Sequence, residues 1–520
     1  MKPSAVVPAS DTAEDVVPFL EHRAFGVDAP IRRIDTHAAS IFLTSDRAWK
    51  LKRPVRFGYL DFSTPARRRA ALDAELRLNR RTAPDLYVGL HAITREADGS
   101  LAIDGHGDAI DWLLEMRRFA DDALLDDRAR CGTLDPVLLN RLAERIQLFH
   151  GAAEPVNDGN GAGRLAAVID GNGASLASFP ALFEPVAVAA LLRAQRFHLH
   201  ACRDRLDQRA ARGRVRHCHG DLHLANIAMI DGEPTPFDCL EFDSALATTD
   251  TLYDLAFLLM DLWHRGLHAE ANLLFNRYLD LSGDDEDGLA AMPLLLSVRA
   301  SIRAHISATR ALQSGKRDDA MVARAYFALA RQLMVAVPPW LIAVGGRSGT
   351  GKSMLARALA SAVGVAPGAR ILRSDVMRKR LAGVAPETAL ARARYTPQSA
   401  AQVYHALAAQ ARSLLAGGTS VIADAAFLLP EQRDAIETVA TSACVPFAGL
   451  WLEASEEVRI ARVTARSGDA SDADATIVRL QSRQPVGPLS AWHKLSAGRD
   501  AALVAFSAKR LLRSAMRVPP

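Results

Sequence analysis

The chain has 520 residues, which is too long for one ordinary hydrophobic core, so two or three domains are expected. Hydrophobic residues make up 49% of the chain and charged residues 23%, an ordinary balance for a soluble globular protein. A net charge of +4 over this length argues neither for nor against a nucleic-acid partner.

Cysteine usage and hydropathy predict a cytoplasmic protein. The five cysteines are scattered and never in C-x-x-C spacing, which favours reduced thiols over a disulfide framework. The N-terminal stretch MKPSAVVPASDTAEDVV has no apolar segment typical of a signal peptide. The apolar runs are too short to span a bilayer, so no membrane partner is expected.

The first predicted elements are two short strands within residues 41–52. Because side chains alternate along a strand, Lys50 and Lys52 are expected on the same face of the second one. The next predicted element, a helix at residues 66–81, carries Glu75 on its apolar face. Protein kinases use a strand lysine and a helix glutamate to hold the α/β-phosphates. A lysine of this kind, taken alone, is more often simply solvated.

A second pattern, His219-Gly220-Asp221-x-x-x-x-Asn226, precedes an apolar strand at 227–230, a turn at 231–232 and then Asp238. Phosphoryl transfer to a hydroxyl needs a carboxylate near the incoming oxygen and oxygen ligands for Mg²⁺. We therefore predict Asp221 as the general base and Asn226 and Asp238 as the metal ligands.

Together these patterns resemble the aminoglycoside-phosphotransferase branch of the protein-kinase-like fold, over roughly residues 30–330. The resemblance implies a bilobal domain with an interlobe hinge at 111–119, and makes Lys50 the phosphate lysine, with Lys52 in reserve. It also implies that Asp254, one turn into a helix predicted at 249–262, steadies the catalytic loop. Two features depart from the family: residues 36–43 contain no glycines to cover the phosphates, and Glu241 and Asp243 add acids of open role.

Other patterns in this half are weaker. The histidines and cysteine at 217–223 match no standard tetrahedral zinc spacing. The acidic run at 284–287 is expected to be a solvated loop in a helical region that ends near residue 335. Because proline cannot continue a helix, Pro338 and Pro339 place the domain boundary there, giving domains 1–335 and 336–520.

A P-loop opens the C-terminal half. An apolar strand at 341–344 runs into Gly346-x-x-x-x-Gly351-Lys352-Ser353, and a helix-forming segment follows. Lys352 is expected to reach the β/γ-phosphates and Ser353 to ligate Mg²⁺. The predicted nucleotide-binding residues of this site are Gly346, Arg347, Ser348, Gly349, Thr350, Gly351, Lys352 and Ser353.

Strands and helices alternate after the P-loop, which predicts a doubly wound parallel sheet. Ligands bind at the C-terminal ends of such strands, where Asp375 and Asp424 fall. Asp424 is the predicted Walker B-like metal acid. A resemblance to small P-loop kinases implies that Asp375 is the acid that contacts the acceptor hydroxyl. Arg462 and Arg466, followed by SGDASDADA at 467–475, are the predicted arginine-bearing lid.

This half resembles the small P-loop kinases, such as gluconate- and shikimate-kinase-like proteins and the kinase part of polynucleotide kinases. The residues SDVMRKRL at 374–381 and the SDAD lid carry that likeness. The whole chain resembles bacterial fusions of an aminoglycoside-phosphotransferase-like domain and a P-loop domain.

The sequence therefore predicts a multidomain α+β and α/β protein with two ATP- and Mg²⁺-dependent kinase domains, each phosphorylating a hydroxyl of a small molecule. GTP in place of ATP, the acceptors and the oligomeric state are left open. In one alternative, one of the two domains, with the N-terminal domain favoured, is a nucleotide sensor that regulates the other. In another, the C-terminal domain phosphorylates a nucleic-acid 5′-hydroxyl, but no basic stripe interleaved with aromatic residues supports it.

Overall fold

The computed structural model describes residues 11–22, 24–25, 31–36, 38–57, 60–241, 243–283, 285–465, 470–498 and 500–517. By its internal contacts the chain divides into two compact units, each made of two segments. The first unit is Met1–Gly159 with Ala210–Leu255, and the second is Asn160–Arg209 with Ala256–Pro520. The domain boundary near residue 336 stays a prediction.

In chain order, the helices of the described residues are α1 (Asp11–His22), α2 (Pro65–Asn79), α3 (Leu125–Arg130), α4 (Pro136–Ala152), α5 (Gly161–Ala177), α6 (Pro185–Ala211), α7 (Ser244–Ala247), α8 (Thr251–His264), α9 (His268–Ser282), α10 (Met292–Ser314), α11 (Arg317–Gln332), α12 (Lys352–Ala360), α13 (Ser374–Leu381), α14 (Pro397–Ala416), α15 (Pro430–Ser442), α16 (Glu456–Thr464), α17 (Ala475–Arg483) and α18 (Ala501–Arg517). Short 3₁₀ helices cover Leu224–Asn226, Asp285–Ala291 and Arg392–Arg394.

The strands of the same residues are β1 (Arg32–Asp35), β2 (Ala39–Leu43), β3 (Arg47–Lys52), β4 (Arg56–Phe57), β5 (Leu60–Asp61), β6 (Tyr87–Arg95), β7 (Leu101–Ile103), β8 (Asp108–Arg117), β9 (Val215–His217), β10 (Ile227–Ile230), β11 (Glu233–Pro236), β12 (Thr248–Asp250), β13 (Leu341–Gly346), β14 (Arg370–Arg373), β15 (Val421–Asp424), β16 (Phe447–Glu453) and β17 (Trp492–Ser496).

An antiparallel sheet in the order β1-β2-β3-β8-β6-β7 organises the first unit. Helix α2 begins where Thr64 caps its N-terminus and Pro65 takes the first turn, where a missing N–H costs nothing. The helix buries Leu72, Glu75 and Leu78, so Glu75 is placed toward the interior of this unit. The sheet, α2 and the β10–β11 hairpin confirm the predicted protein-kinase-like fold.

Strand β8 continues to Arg117, which differs from the predicted hinge at residues 111–119. Asp111 within it is buried and forms an ion pair with Arg68 of α2 at 2.8 Å. Most of the predicted hinge is therefore sheet, held to the helix that carries Glu75, and Arg118 and Phe119 are the hinge residues that lie beyond the strand.

A parallel sheet in the order β14-β15-β13-β16-β17 organises the C-terminal part of the second unit. The central strand β13 is buried at every position, as expected for a parallel strand covered by helices on both faces. Helices α12 and α18 pack on one core with β13 and β16, through Leu355, Leu359 and Leu512 among others. This topology confirms the predicted doubly wound P-loop kinase fold.

One helical segment of the described residues, Asp285–Ser314, is long and apolar enough to cross a bilayer, and 72% of its apolar window is buried inside the protein. That burial is typical of a core helix. The acidic run at its start is predicted to be a solvated loop, and this is wrong for Asp285 and Glu286, whereas Asp287 is exposed. Asp285 is buried and pairs with Arg209 at 2.9 Å, and Glu286 pairs with Arg370 at 3.1 Å. Asp284 lies outside the described residues.

Candidate active sites

The predicted catalytic loop of the first site lies between β9 and β10. Asp254 of α8 accepts hydrogen bonds from its backbone. Its Oδ1 accepts the backbone N–H of Gly220 at 2.8 Å, and its Oδ2 accepts that of His219 at 3.2 Å. His150 of α4 lies 3.0 Å from the same Oδ2. Gly220 has a φ of 82°, and a Cβ there would lie 2.8 Å from Leu240, so only glycine fits this turn. The loop is fixed before any substrate arrives.

Asp221 and Asn226, the predicted base and metal ligand, contact each other across this loop. Asn226 Nδ2 donates to Asp221 Oδ2 at 2.9 Å and to the Asp221 backbone oxygen at 3.1 Å. His223 Nε2 lies 3.5 Å from the same carboxylate oxygen. Because the amide nitrogen is committed to Asp221, the amide oxygen of Asn226 is the atom suited to a hard cation such as Mg²⁺.

Lys50 joins the other two predicted residues of this site. Its Nζ lies 2.6 Å from Glu75 Oε1 and 2.8 Å from Asp238 Oδ1. Burial disfavours the charged ammonium, but Asp238 and Glu75 outweigh it, so the pKa of Lys50 is raised well above its usual value. Burial would raise the pKa of Asp238, but the charge and hydrogen bond of Lys50 outweigh burial, so the pKa of Asp238 is lowered. Asp221 is among the charges that act on Asp238, so the predicted base, the predicted metal acid and Lys50 lie in one region.

Lys52, the reserve candidate, is deeper than Lys50. Its Nζ lies 2.6 Å from Glu75 Oε2 and 2.5 Å from Glu241 Oε1, and it sits over the ring of Phe62. Its side chain is 3% exposed, whereas that of Lys50 is 12% exposed. Lys50 is therefore the better placed to meet a phosphate, and Lys52 acts as an internal counter-ion.

The same contacts give the two acids of open role a structural explanation. Glu241 is the partner of Lys52, and burial raises the pKa of its carboxyl group. Asp243 accepts the backbone N–H groups of Ala245 and Leu246 at 2.9 and 3.2 Å, as a cap of the short helix α7. Both carboxylates are used within the fold.

Exchanging each lysine for methionine separates their roles. Lys50→Met is expected to lower turnover at this site and to cost less stability than Lys52→Met, because Asp238 is partly exposed and Glu75 keeps Lys52. Lys52→Met is expected to cost about 1–3 kcal/mol, because Glu241 loses its partner in a buried setting. Urea unfolding and ATP turnover of both variants check this, and equal stability losses would contradict it.

The P-loop connects β13 to α12, as predicted. Gly346, Gly349 and Gly351 have φ values of 141°, 82° and 92°, a region that side chains rarely adopt. A Cβ on Gly349 would also lie 2.5 Å from the backbone oxygen of Arg459. Lys352 Nζ donates to the carbonyl of Arg347 at 3.2 Å, over the loop that it closes.

The two predicted metal-side residues of this site lie at the ends of neighbouring elements. Ser353 is at the start of α12, which follows β13, and Asp424 ends β15, the strand paired with β13. Burial raises the pKa of Asp424, while Arg373 and Lys352 act against that rise and Asp375 adds to it. Ser353 also acts to lower the pKa of Asp424. A hydroxyl and a carboxylate are oxygen ligands that fit Mg²⁺.

Asp375 lies in the first turn of α13, two residues beyond the end of β14 at Arg373, whereas the sequence predicted a strand that continued to Asp375. Besides Asp424, it acts electrostatically on Tyr395 and Tyr404. Arg378, one turn further along α13, lies over the ring of Tyr395 at 4.9 Å. Asp375 and Lys352, the predicted base and phosphate lysine, therefore both act on the predicted metal acid Asp424.

The predicted lid is described only in part. Arg462 of α16 donates to the backbone oxygen of Ala497 at 2.8 Å and lies 3.5 Å from that of Thr350 in the P-loop. Arg462 thus contacts the loop as expected of a lid arginine. Arg466 and residues 467–469 lie outside the described residues, and the role of both arginines stays a prediction.

Sequence reasoning missed residues that reach the sites from distant segments. Tyr87 of β6 accepts the backbone N–H of Asp238 at 3.1 Å, and Asn79 of α2 accepts that of Cys239 at 2.7 Å. Gln481 of α17 accepts the backbone N–H of Ser348 in the P-loop at 2.7 Å. None of the three stands in a motif, and each lies more than 130 residues from its partner in the chain, so no local signal could have found it.

Ligand atoms of His150, Cys218 and Asp254 lie within 4.8 Å of one another, as a metal site would require. The oxygens of Asp254 already accept two loop amides, however, and Cys218 donates to the backbone of Thr249 at 3.4 Å. This buried group supports the catalytic loop.

Comparison with known proteins agrees with this architecture. The protein-family model AAA_33, an AAA domain, matches residues 341–484. The uncharacterized protein Rv2004c of Mycobacterium tuberculosis is 30% identical over 462 residues, which cover 86% of this chain and 89% of that protein.

Two solved structures resemble separate parts of the chain. A gluconokinase from Sinorhizobium meliloti is 20% identical, with 35% of this chain and 98% of that chain covered and a TM-score of 0.25. A choline/ethanolamine kinase family protein from Mesorhizobium loti is 15% identical, with 62% and 94% covered and a TM-score of 0.39. At these scores the likenesses assign no activity to this chain.

The mycobacterial relative matches both parts of the chain, from the kinase-like fold to the P-loop fold. At 30% identity over 89% of its length it is a relative over most of both chains. The chain is a fusion of two kinase-like parts, and it belongs to the protein family of Rv2004c.

Proposed function

We propose that the protein is an ATP-dependent phosphotransferase with two sites, each of which transfers the terminal phosphoryl group of ATP to a hydroxyl of a small molecule. One observation carries the proposal: each site combines a lysine, a metal-type acid and a second acid. At the first site these are Lys50, Asp238 and Asp221. At the second site they are Lys352, Asp424 and Asp375. Strand β15 ends at Asp424 and lies between the strands that precede the helices of Lys352 and Asp375.

The chemistry of the first site follows from these positions. The acceptor hydroxyl gives its proton to Asp221, its oxygen bonds to the γ-phosphorus, and the bond to the β-phosphate oxygen breaks to release ADP. Lys50 holds the phosphates, and Asn226 and Asp238 would hold Mg²⁺. Bound there, Mg²⁺ would neutralise charge on the phosphate oxygens.

At the second site Lys352 and the P-loop amides hold the phosphates, and Ser353 and Asp424 would hold the metal. Asp375 would accept the proton of the acceptor hydroxyl. Two kinase sites on one chain are consistent with action on one compound or one pathway, as a fused enzyme pair would require.

The acceptor of the first site is proposed to be neutral or anionic. A polycationic antibiotic needs a cleft with spare carboxylates. Glu241 and Asp243, the two extra acids of this region, are committed to Lys52 and to the end of α7. A phosphorylated sugar, alcohol or hydroxy acid fits better than an aminoglycoside.

The proposal is tested by incubating the full chain with Mg²⁺-ATP and a polar-metabolite extract and following phosphorus by NMR and mass spectrometry. We expect ADP to form together with an equal amount of a new phosphate monoester. ADP accompanied only by inorganic phosphate would instead indicate a hydrolase. A parallel sample with a 5′-hydroxyl oligonucleotide, expected to stay unphosphorylated, tests nucleic acid as the acceptor.

A further inference from the structure

The C-terminal end of α17 lies directly on the P-loop. Arg347 Nε donates to the backbone oxygen of Gln481 at 2.8 Å, and its Nη2 donates to that of Gln484 at 2.9 Å. The last carbonyls of a helix have no partner within the helix and attract cations, so an arginine is well matched to them. Arg459 adds a bond from Nη2 to Ser482 Oγ at 2.6 Å. The helix end is thereby fixed to the loop.

One side chain of this helix accepts a hydrogen bond from the backbone of the P-loop. Gln481 Oε1 accepts the backbone N–H of Ser348 at 2.7 Å. Backbone N–H groups are what a P-loop uses to hold phosphate oxygens. The side-chain carbonyl of Gln481 therefore makes the kind of contact that a phosphate oxygen makes.

The position of Ser348 indicates which phosphate is concerned. The peptide that joins Arg347 to Ser348 receives Lys352 Nζ on its carbonyl side. Because this lysine is the residue that reaches the β/γ-phosphates, the peptide lies at the end of the loop that faces the terminal phosphates. Gln481 is next to that peptide and carries both an acceptor oxygen and a donor NH₂ group.

The residues that precede α17 contact α13, the helix that carries the predicted acceptor acid. Asp472 lies 2.5 Å from Lys379 Nζ of α13, the helix whose first turn carries Asp375, and it also accepts from Tyr395. Asp474 caps the N-terminus of α17. The segment 470–484 thus connects the P-loop to the helix of the predicted acceptor acid.

We propose that Gln481 is the residue by which the P-loop site distinguishes a nucleoside triphosphate from a diphosphate. Its amide can yield Ser348 N–H to the terminal phosphate and turn its own NH₂ toward that anion. A carboxylate would keep the bond to Ser348 and repel the phosphate. The inference rests on the proposed nucleotide binding at the P-loop and adds its discriminating residue.

The test is nucleotide binding by the full chain, measured calorimetrically with Mg²⁺-AMPPNP and with Mg²⁺-ADP. The signal lost in Lys352→Ala is assigned to the P-loop site. Gln481→Glu is expected to weaken AMPPNP binding at this site about 10-fold or more while ADP binding changes less than about 2-fold. Gln484→Glu is the matched control, because Gln484 contributes only its backbone oxygen to Arg347 and receives the same charge three residues away.

The possible results distinguish a failure of the Gln481 role from a failure of the proposed nucleotide binding at the P-loop. If Lys352→Ala binds both nucleotides as the unmodified chain does, nucleotide binding at the P-loop is wrong, and the inference falls with it. If Lys352→Ala removes a site but Gln481→Glu weakens both nucleotides equally, or neither, or no more than Gln484→Glu, the inference alone is overturned. Should Gln481→Glu melt early, Gln481→Asn replaces it; this neutral, shorter side chain is expected to change the ratio of the two affinities about 3-fold or more, and an unchanged ratio rejects the role.

Discussion

Replacing Asp221 with alanine is expected to lower turnover at the first site by about 10² or more, because the acceptor hydroxyl loses the carboxylate that takes its proton. Lys352→Ala is expected to remove a similar factor at the second site, where the lysine holds the transferring phosphates. The two losses should be separable, since the residues lie in different sites. The double variant should lose nearly all turnover of Mg²⁺-ATP in the presence of a metabolite extract.

Asp243→Asn is the control for the first site. It removes a carboxylate from the same stretch of chain but keeps an oxygen that can cap α7, so turnover should not change. If Asp221→Ala also leaves turnover unchanged in the extract while Lys352→Ala removes all of it, and ATP still binds the first part, that part is a nucleotide sensor. That result would replace the two-enzyme proposal with the regulatory one.

The parts of each site that the sequence predicted are those written in contiguous residues. The P-loop is such a case, because one strand, one turn and one helix start supply Lys352 and Ser353 together. The loop from His219 to Asn226 is another. The pairing of Lys50 with Glu75 needed only the alternation of a strand and the inner face of a helix, and the structure brings the two together at 2.6 Å.

The remaining contacts depend on tertiary packing. Nothing near Lys52 reveals that Glu241 is its partner, because 189 residues separate them in the chain. The acidic run near residue 285 has the composition of a solvated loop, and composition carries no information on a distant Arg209 or Arg370. A run of charged residues predicts an exposed segment only when no buried partner of opposite charge is available. The neighbouring sequence does not show whether a distant residue supplies such a partner.

The contacts of β14 show how residues distant in the chain stabilise the second unit. Strand β14 forms one edge of the parallel sheet, and an edge strand presents unpaired N–H and C=O groups. Asn276 of α9 fills this role with its side chain. Its Oδ1 accepts Ile371 N–H at 2.8 Å and its Nδ2 donates to Ala369 O at 3.1 Å, as a neighbouring strand would.

Asp280 of the same helix and Glu286 of the following 3₁₀ helix compensate the charge at the start of β14. Arg370 is 2% exposed and lies 2.7 Å from Asp280 and 3.1 Å from Glu286. Burial alone would lower the pKa of Arg370, but the two carboxylates outweigh it and the pKa is raised. A cut at the predicted boundary near residue 336 would leave α9 and β14 on separate pieces, so we propose that residues 336–520 need α9 to be stable.

Arg370→Met is accordingly expected to destabilise the second unit by about 3–5 kcal/mol, because it leaves Asp280 without its partner and Glu286 with Arg380 alone. The measurement is urea unfolding of the full chain, with the tryptophans of β16 and β17 reporting on the sheet. Arg392→Met is the control: its ion pair with Asp474 is exposed and should be worth less than about 1 kcal/mol.

A second change distinguishes a stranded charge from lost packing. Arg370→Met combined with Asp280→Leu removes both partners of the closest pair, and apolar replacement of a buried pair is often neutral. The double variant should therefore recover a large part of the stability that Arg370→Met loses. If it recovers none, the stability lost in Arg370→Met comes from lost packing of the arginine side chain against β14. If Arg370→Met is no less stable than Arg392→Met, α9 does not stabilise this edge of the sheet through charge.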